Sequence, residues 1–210
     1  MKNIEIKSFL DFQFPSAPEF SPDGKTVAFV LQQPSLEENK YNGNIWLLDV
    51  ETRKYRQLTN GGEGKSFLWT KQGTILFKAK RDSSLKKEGE NASAWYEISP
   101  DGGEAKLAFT LPVSPGKLKA VDDDRFIFTA LYRNKNEEND TRTPADCDVL
   151  EETPFWSNGS SEFTSGRRSR LYVYTRSTGE LKAITGPWFD TAGYSVRGNQ
   201  VLYKGTEWRN

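Results

Sequence analysis

Along most of the chain, hydrophobic and polar positions alternate with the two-residue period of half-buried strands. In "EFSPDGKTVAFV" (19–30) a strand runs into Ser21-Pro22-Asp23-Gly24. Pro presets φ near about −65° and Gly accepts a positive φ, so this tetrapeptide predicts a tight turn. Val27, Phe29 and Leu31 then carry the alternation into a second strand. Near-copies follow as "LWTKQGTILF", "AVDDDRFIF" and "SVRGNQVLY".

A second hairpin follows each of the first three. "NIWLLDVETRKYRQLT" (44–59), "AWYEISPDGGEAKLAFT" (94–110) and "RLYVYTRSTGELKAIT" (170–185) share one plan. An aromatic-rich strand enters a Thr/Gly/Asp turn, and a charged strand leaves it to end on an apolar residue and Thr. The plan puts Trp46, Trp95 and Tyr172 in the same place. Each unit therefore predicts four strands: a blade near 16–59, a second near 66–110, a third near 117–185 and a partial blade near 191–204. An insertion, 132–169, interrupts the third. Four-stranded units recurring at roughly 40–50 residues predict an all-β fold, a β-propeller of antiparallel blades. A β-sandwich also uses short strands and regular turns, but it does not require the aromatic hairpin to recur in register. No stretch longer than about two turns shows helical periodicity, apart from a weak signal in "IEIKSFLDF". About three and a half blades cannot close a ring of 4–8, so the chain reads as part of a longer propeller. The open edge is then expected to self-associate through 186–208 unless the remaining blades cover it.

Composition narrows the possibilities. Aromatics are 13% with six Trp, which supplies buried area despite only 35% hydrophobic residues. Twenty-nine basic and 29 acidic residues give zero net charge, which argues against nucleic acid and anionic membrane as partners. No apolar run approaches the roughly 20 residues of a membrane helix. The start, "MKNIEIKSFLDFQFP", lacks the apolar core of a signal peptide. A single Cys147 forms no internal disulfide, which fits a cytoplasmic location.

Three segments together resemble one family: "FLDFQFPSAPEFSPDGKTVAFV", the hairpin "NIWLLDVETRKYRQLT", and "LEETPFWSNGSSEFTSGRRSRLYVYTRSTGELKAIT". They are similar to the N-terminal propeller of the prolyl oligopeptidase family of serine peptidases, in its acylaminoacyl-peptidase and dipeptidyl-peptidase-like branch. The resemblance implies a ring that is usually seven-bladed, capping an α/β-hydrolase domain that carries the Ser, Asp and His. That hydrolase domain is absent from these 210 residues, so no catalytic residue carries over. The implied partners are the remaining blades, the hydrolase domain and short peptide substrates. TolB-type propellers share the "SPDG" phrase, so a standalone interaction module without catalysis is the alternative. A propeller glycosidase lacks supporting carboxylate spacing.

Candidate chemistry is sparse. A triad needs a base, normally His, and the chain has none. Gly193-Tyr194-Ser195 resembles a nucleophile elbow, but Arg197 stands where its second Gly belongs, so an inner strand is expected there. Asp122-Asp123-Asp124 lacks the spaced oxygens of a calcium loop and reads as a turn. No cofactor or metal is expected. The insertion is more informative: its front, 134–146, is expected to be mobile, and Phe155 and Trp156 to anchor the part from 149 on. Glu151 and Glu152 form an acidic pair there. The resemblance implies that such a pair holds a substrate's free N-terminal ammonium, by charge pairing. Substrate binding is therefore expected at Glu151, Glu152, Phe155 and Trp156. Arg167, Arg168 and Arg170 cannot all point one way along a strand, and one is expected to pair with Glu151 or Glu152. Sequons at Asn91, Asn139 and Asn158 carry no weight without a secretory signal.

Overall fold

A computed structural model describes residues 5–62, 64–80, 92–133 and 167–207. The chain divides into two compact units, Met1–Val113 and Ser114–Asn210. In the first, a 3-10 helix (Ile6–Asp11) precedes β1 (Phe14–Phe20), β2 (Thr26–Ser35), β3 (Lys40–Asp49) and β4 (Tyr55–Gln57). These form one antiparallel sheet in sequence order. A second sheet repeats the meander with β5 (Phe67–Trp69), β6 (Ile75–Lys78), β7 (Ser93–Ser99) and β8 (Gly102–Leu111). The second unit holds β9 (Lys119–Ala120), β10 (Arg125–Arg133), β11 (Arg167–Thr175) and β12 (Glu180–Ala183), then a hairpin of β13 (Phe189–Arg197) and β14 (Gln200–Glu207).

The repeated turn is built in several ways. In the first sheet the Ser21 hydroxyl donates to Asp23 at 2.6 Å and accepts the Thr26 amide at 3.0 Å, while Gly24 takes φ +73°. In the second, Thr70 accepts the Thr74 amide at 3.1 Å and Gly73 takes φ +82°. The third turn has no Gly, and the Asp122 carboxylate accepts the amides of Asp124 and Arg125 instead. Short polar side chains that bond their own backbone stabilise such turns.

Because the turns correspond, they fix the phase of the strands that follow. Phe29 pairs with Trp46, Phe77 with Tyr96 and Phe128 with Tyr172. The equivalent of Trp46 is therefore Tyr96, not Trp95, a correction of one residue to the phase expected from the aromatic pattern. One residue moves a side chain to the opposite face. Trp95 is 1% exposed on the other face of its sheet from Tyr96, and stacks on Phe109 with centroids 6.2 Å apart.

In the first unit, Ala28, Val30, Ile45 and Leu47 of sheet one pack against Ile75, Phe77, Ala94, Tyr96 and Ile98 of sheet two. The Trp69 indole N–H donates to the Glu19 carbonyl at 3.1 Å and links their first strands. In the second unit, Val121, Ile127 and Leu171 pack with Val173, Tyr194, Val196 and Val201. The Thr ending two of the outer segments has a structural task. Thr59 accepts the Ile45 amide at 2.9 Å, and Thr185 accepts the Leu171 amide at 3.0 Å. Both amides are buried where the short fourth strand has ended, and a hydroxyl supplies the acceptor.

Candidate functional site

Glu151, Glu152, Phe155 and Trp156 lie outside the described residues, as do the stretches 134–146 and 149–166. What is described is the pair of strands from which the insertion emerges. Nine residues of β10 pair in register with nine of β11, from Arg125 opposite Thr175 to Arg133 opposite Arg167. The insertion thus joins two strands that are paired without a register shift over their whole length.

The arginines at that root divide by face. Arg168, opposite Tyr132, and Arg170, opposite Ala130, share one face, whereas Arg167 belongs to the other. Arg168 is 3% exposed, and its Nη1 donates to the Arg167 carbonyl at 2.7 Å. Arg170 donates to the Thr185 carbonyl from Nε at 3.1 Å and from Nη2 at 2.7 Å. Its guanidinium also lies 4.5 Å from the Tyr132 ring centre and 5.7 Å from that of Tyr172. Partly desolvated contacts of this kind stabilise a cation over a ring by about 0.5–2 kcal/mol each. Burial raises the Tyr172 phenol above its ordinary value, so the residue beneath Arg170 stays a neutral ring. The Asp190 carboxylate accepts the Ser169 amide at 2.8 Å and braces the same strand from β13. Arg170 is therefore a clasp for the insertion's root. The run "RRSR" displayed the residues; that one of them would meet a carbonyl and two rings needed the register.

The other sequence candidates resolve into structure. Asp122 receives the Arg125 Nε at 2.7 Å, and Asp124 accepts both the amide and the hydroxyl of Ser177 at 2.7 Å. Both carboxylates are engaged in holding turns. Among the described residues no cluster of His, Cys, Asp or Glu is arranged to hold a metal ion. Ser195 lies in β13 opposite Leu202, within a two-stranded antiparallel hairpin and not a strand–turn–helix elbow. Tyr194 pins this hairpin to β9 and the residues leading into it. Its hydroxyl donates to the Lys117 carbonyl, Lys119 donates to the Tyr194 carbonyl at 2.9 Å, and the Lys119 ammonium lies 4.7 Å from the ring centre. No helix among the described residues is long and apolar enough to cross a membrane.

No family model matches the chain. Among curated proteins it is 25% identical, over 174 residues, to the uncharacterized peptidase YuxL of Bacillus subtilis (strain 168). That alignment covers 80% of this chain and 25% of the relative. Among solved structures, an acylaminoacyl peptidase of Pyrococcus horikoshii superimposes with a TM-score of 0.68 at 18% identity, covering 94% of this chain and 28% of that one. The fold is that of β-propeller blades. The propeller domain of the trilobed protease from Pyrococcus furiosus matches with a TM-score of 0.53 at 16% identity, over 92% of this chain and 50% of that one. TolB from Acinetobacter baumannii also gives 0.53 at 16% identity, over 91% and 37%. The resemblance to the propeller portion of prolyl oligopeptidase-type peptidases, read from the sequence, agrees with these neighbours. The chain spans about a quarter of the length of the peptidases it matches.

Proposed function

We propose that these blades belong to the propeller of a serine peptidase of the prolyl oligopeptidase type. On this reading they gate access to an α/β-hydrolase domain elsewhere in the polypeptide and help to recognise the end of a short peptide substrate. The supporting observation is the sequence likeness to a peptidase over 80% of the chain, joined to the fold likeness to an acylaminoacyl peptidase. Gating needs a rigid frame carrying loops, and the nine-pair ladder with its Arg170 clasp supplies one at the root of the insertion. Glu151 and Glu152 would meet the substrate's ammonium, with Phe155 and Trp156 as apolar anchors. The single Cys147 suits a cytoplasmic setting. The fold likeness to TolB supports a second reading, an interaction module without catalysis.

The test uses the full-length polypeptide with Glu151→Gln and Glu152→Gln. Binding lost equally from ground and transition states appears in KM with kcat unchanged. KM should therefore rise for peptides with free N-termini and stay constant for acetylated ones. Equal effects on both substrates would remove the recognition role, and a full-length protein with no peptidase activity would favour the interaction module.

A further inference from the structure

Asn followed by Gly is the dipeptide most open to spontaneous deamidation. Glycine carries no Cβ to keep its own amide nitrogen away from the neighbouring carboxamide carbon. The chain holds three such pairs. Asn158-Gly159 lies outside the described residues, and the other two sit in opposite environments.

Asn42-Gly43 is locked into β3. Asn42 is opposite Gln33, and its Nδ2 donates to the Glu38 carboxylate. Gly43 is buried, and its amide donates to the Gly62 carbonyl at 3.0 Å. A Cβ on Gly43 would stand 3.0 Å from Lys65 Cγ and 3.3 Å from Val30 Cγ1, so the backbone there is closely packed. Asn60-Gly61 lies in the connection from β4 to β5. Both residues are exposed, and a Cβ on Gly61 would meet nothing within 4 Å. Among the described residues, neither the Asn60 carboxamide nor the Gly61 amide has a hydrogen-bond partner.

This free dipeptide is held on both sides. Thr59 accepts the Ile45 amide at 2.9 Å. The Gly62 amide donates to Asn44 Oδ1 at 3.0 Å, its carbonyl takes the Gly43 amide, and the Gly64 amide returns to the Gly43 carbonyl at 2.9 Å. Asn60 and Gly61 alone span the gap between the two anchors.

We infer that Asn60-Gly61 is a modification site at which the backbone itself converts asparagine to isoaspartate, lengthening the loop and releasing Gly62 from β3. The Gly61 amide gives its proton to hydroxide and its nitrogen attacks Asn60 Cγ. The bond from Cγ to the carboxamide nitrogen breaks, and ammonia leaves with a proton from water. The resulting succinimide is opened by water. Cleavage at the main-chain carbonyl leaves Gly61 joined through Cγ, which adds one methylene to the backbone and frees a carboxylate. Cleavage at Cγ gives ordinary aspartate. Water is the only co-reactant, and the site does not depend on the peptidase reading.

The test ages the full-length polypeptide in warm, mildly alkaline buffer. Peptide mapping follows the mass gained when amide becomes acid, and a protein isoaspartate methyltransferase with labelled S-adenosylmethionine reports the isoaspartyl product. Asn60 should convert at least about tenfold faster than Asn42 in the native protein, with the two rates converging in urea. Gly61→Val should suppress conversion at Asn60, because a β-branched side chain crowds the attack. Equal native rates, or conversion unmoved by Gly61→Val, overturn the site. In the converted protein the Gly43 and Gly64 amides should exchange faster with solvent. Asn60→Asp, which adds the charge without the methylene, should leave them protected. Unchanged protection in the converted protein overturns the release of Gly62.

Discussion

At the scale of single residues, buried backbone amides explain features that composition leaves unremarked. Thr59 and Thr185 are each 5% exposed and each accepts an amide that no strand reaches. Thr59→Val or Thr185→Val keeps the shape and orphans that amide, at a cost of about 1–3 kcal/mol. A lower urea midpoint with an unchanged m-value checks this, and Thr→Ser should recover much of the loss. Tyr194 offers a test in pH. Burial raises its phenol from an ordinary 10.0 to about 12, so the folded state binds the proton more tightly than the unfolded chain. Its contribution to stability is complete below about pH 10 and falls as pH rises through 12. Tyr172 and Tyr174 are raised in the same direction, so the Tyr194 share is the difference from Tyr194→Phe. Chemical denaturation between pH 9 and about 11.5 should show a shallower decline in that variant. Parallel curves would mean that Tyr194 does not hold its proton as described.

At the scale of elements, the strands were legible because a period of two is printed directly in the order of residues, and turns were legible because their chemistry is local. Phase was less so. In "AWYEIS" two adjacent aromatics are both buried, Trp95 on one face and Tyr96 on the other, so aromatic character cannot say which face is which. The preceding turn decides it, through the count from Thr74 to Phe77 and across to Tyr96. The Arg170 clasp was hidden for a related reason: its partners, Tyr132 on β10 and Thr185 just beyond the end of β12, are remote from it in sequence. The hairpin of β13 and β14 makes its own prediction. A Cβ on Gly205 would collide with the Asp190 carbonyl and come within 2.6 Å of the Phe189 ring, beside the bulge between Thr191 and Gly193. Gly205→Ala should therefore loosen that hairpin by roughly 1–3 kcal/mol. Amide exchange should quicken across Phe189–Glu207 and stay unchanged in β2 and β3; uniform change or none would contradict the close approach.

At the scale of the whole molecule, fold and chemistry separate. Alternation, turn residues and recurring hairpins identify blades, while the likeness to peptidases says nothing of where a reaction would occur. These 210 residues contain no histidine, and Ser195 sits opposite Leu202 inside a two-stranded ladder. A serine nucleophile needs a base to take its proton, and losing the base alone costs several powers of ten in rate. These residues lack the base that, on the peptidase reading, would activate a hydroxyl for acyl transfer. On the peptidase reading proposed above, residues 1–210 purified alone should leave aminoacyl and acylaminoacyl amides intact under conditions in which the full-length polypeptide would cleave them. Release of the leaving group, followed across a dilution series and repeated after a second chromatographic step, is the measurement. Activity that stays proportional to this chain through both would place a catalytic group within it and end its assignment as the non-catalytic part of a peptidase.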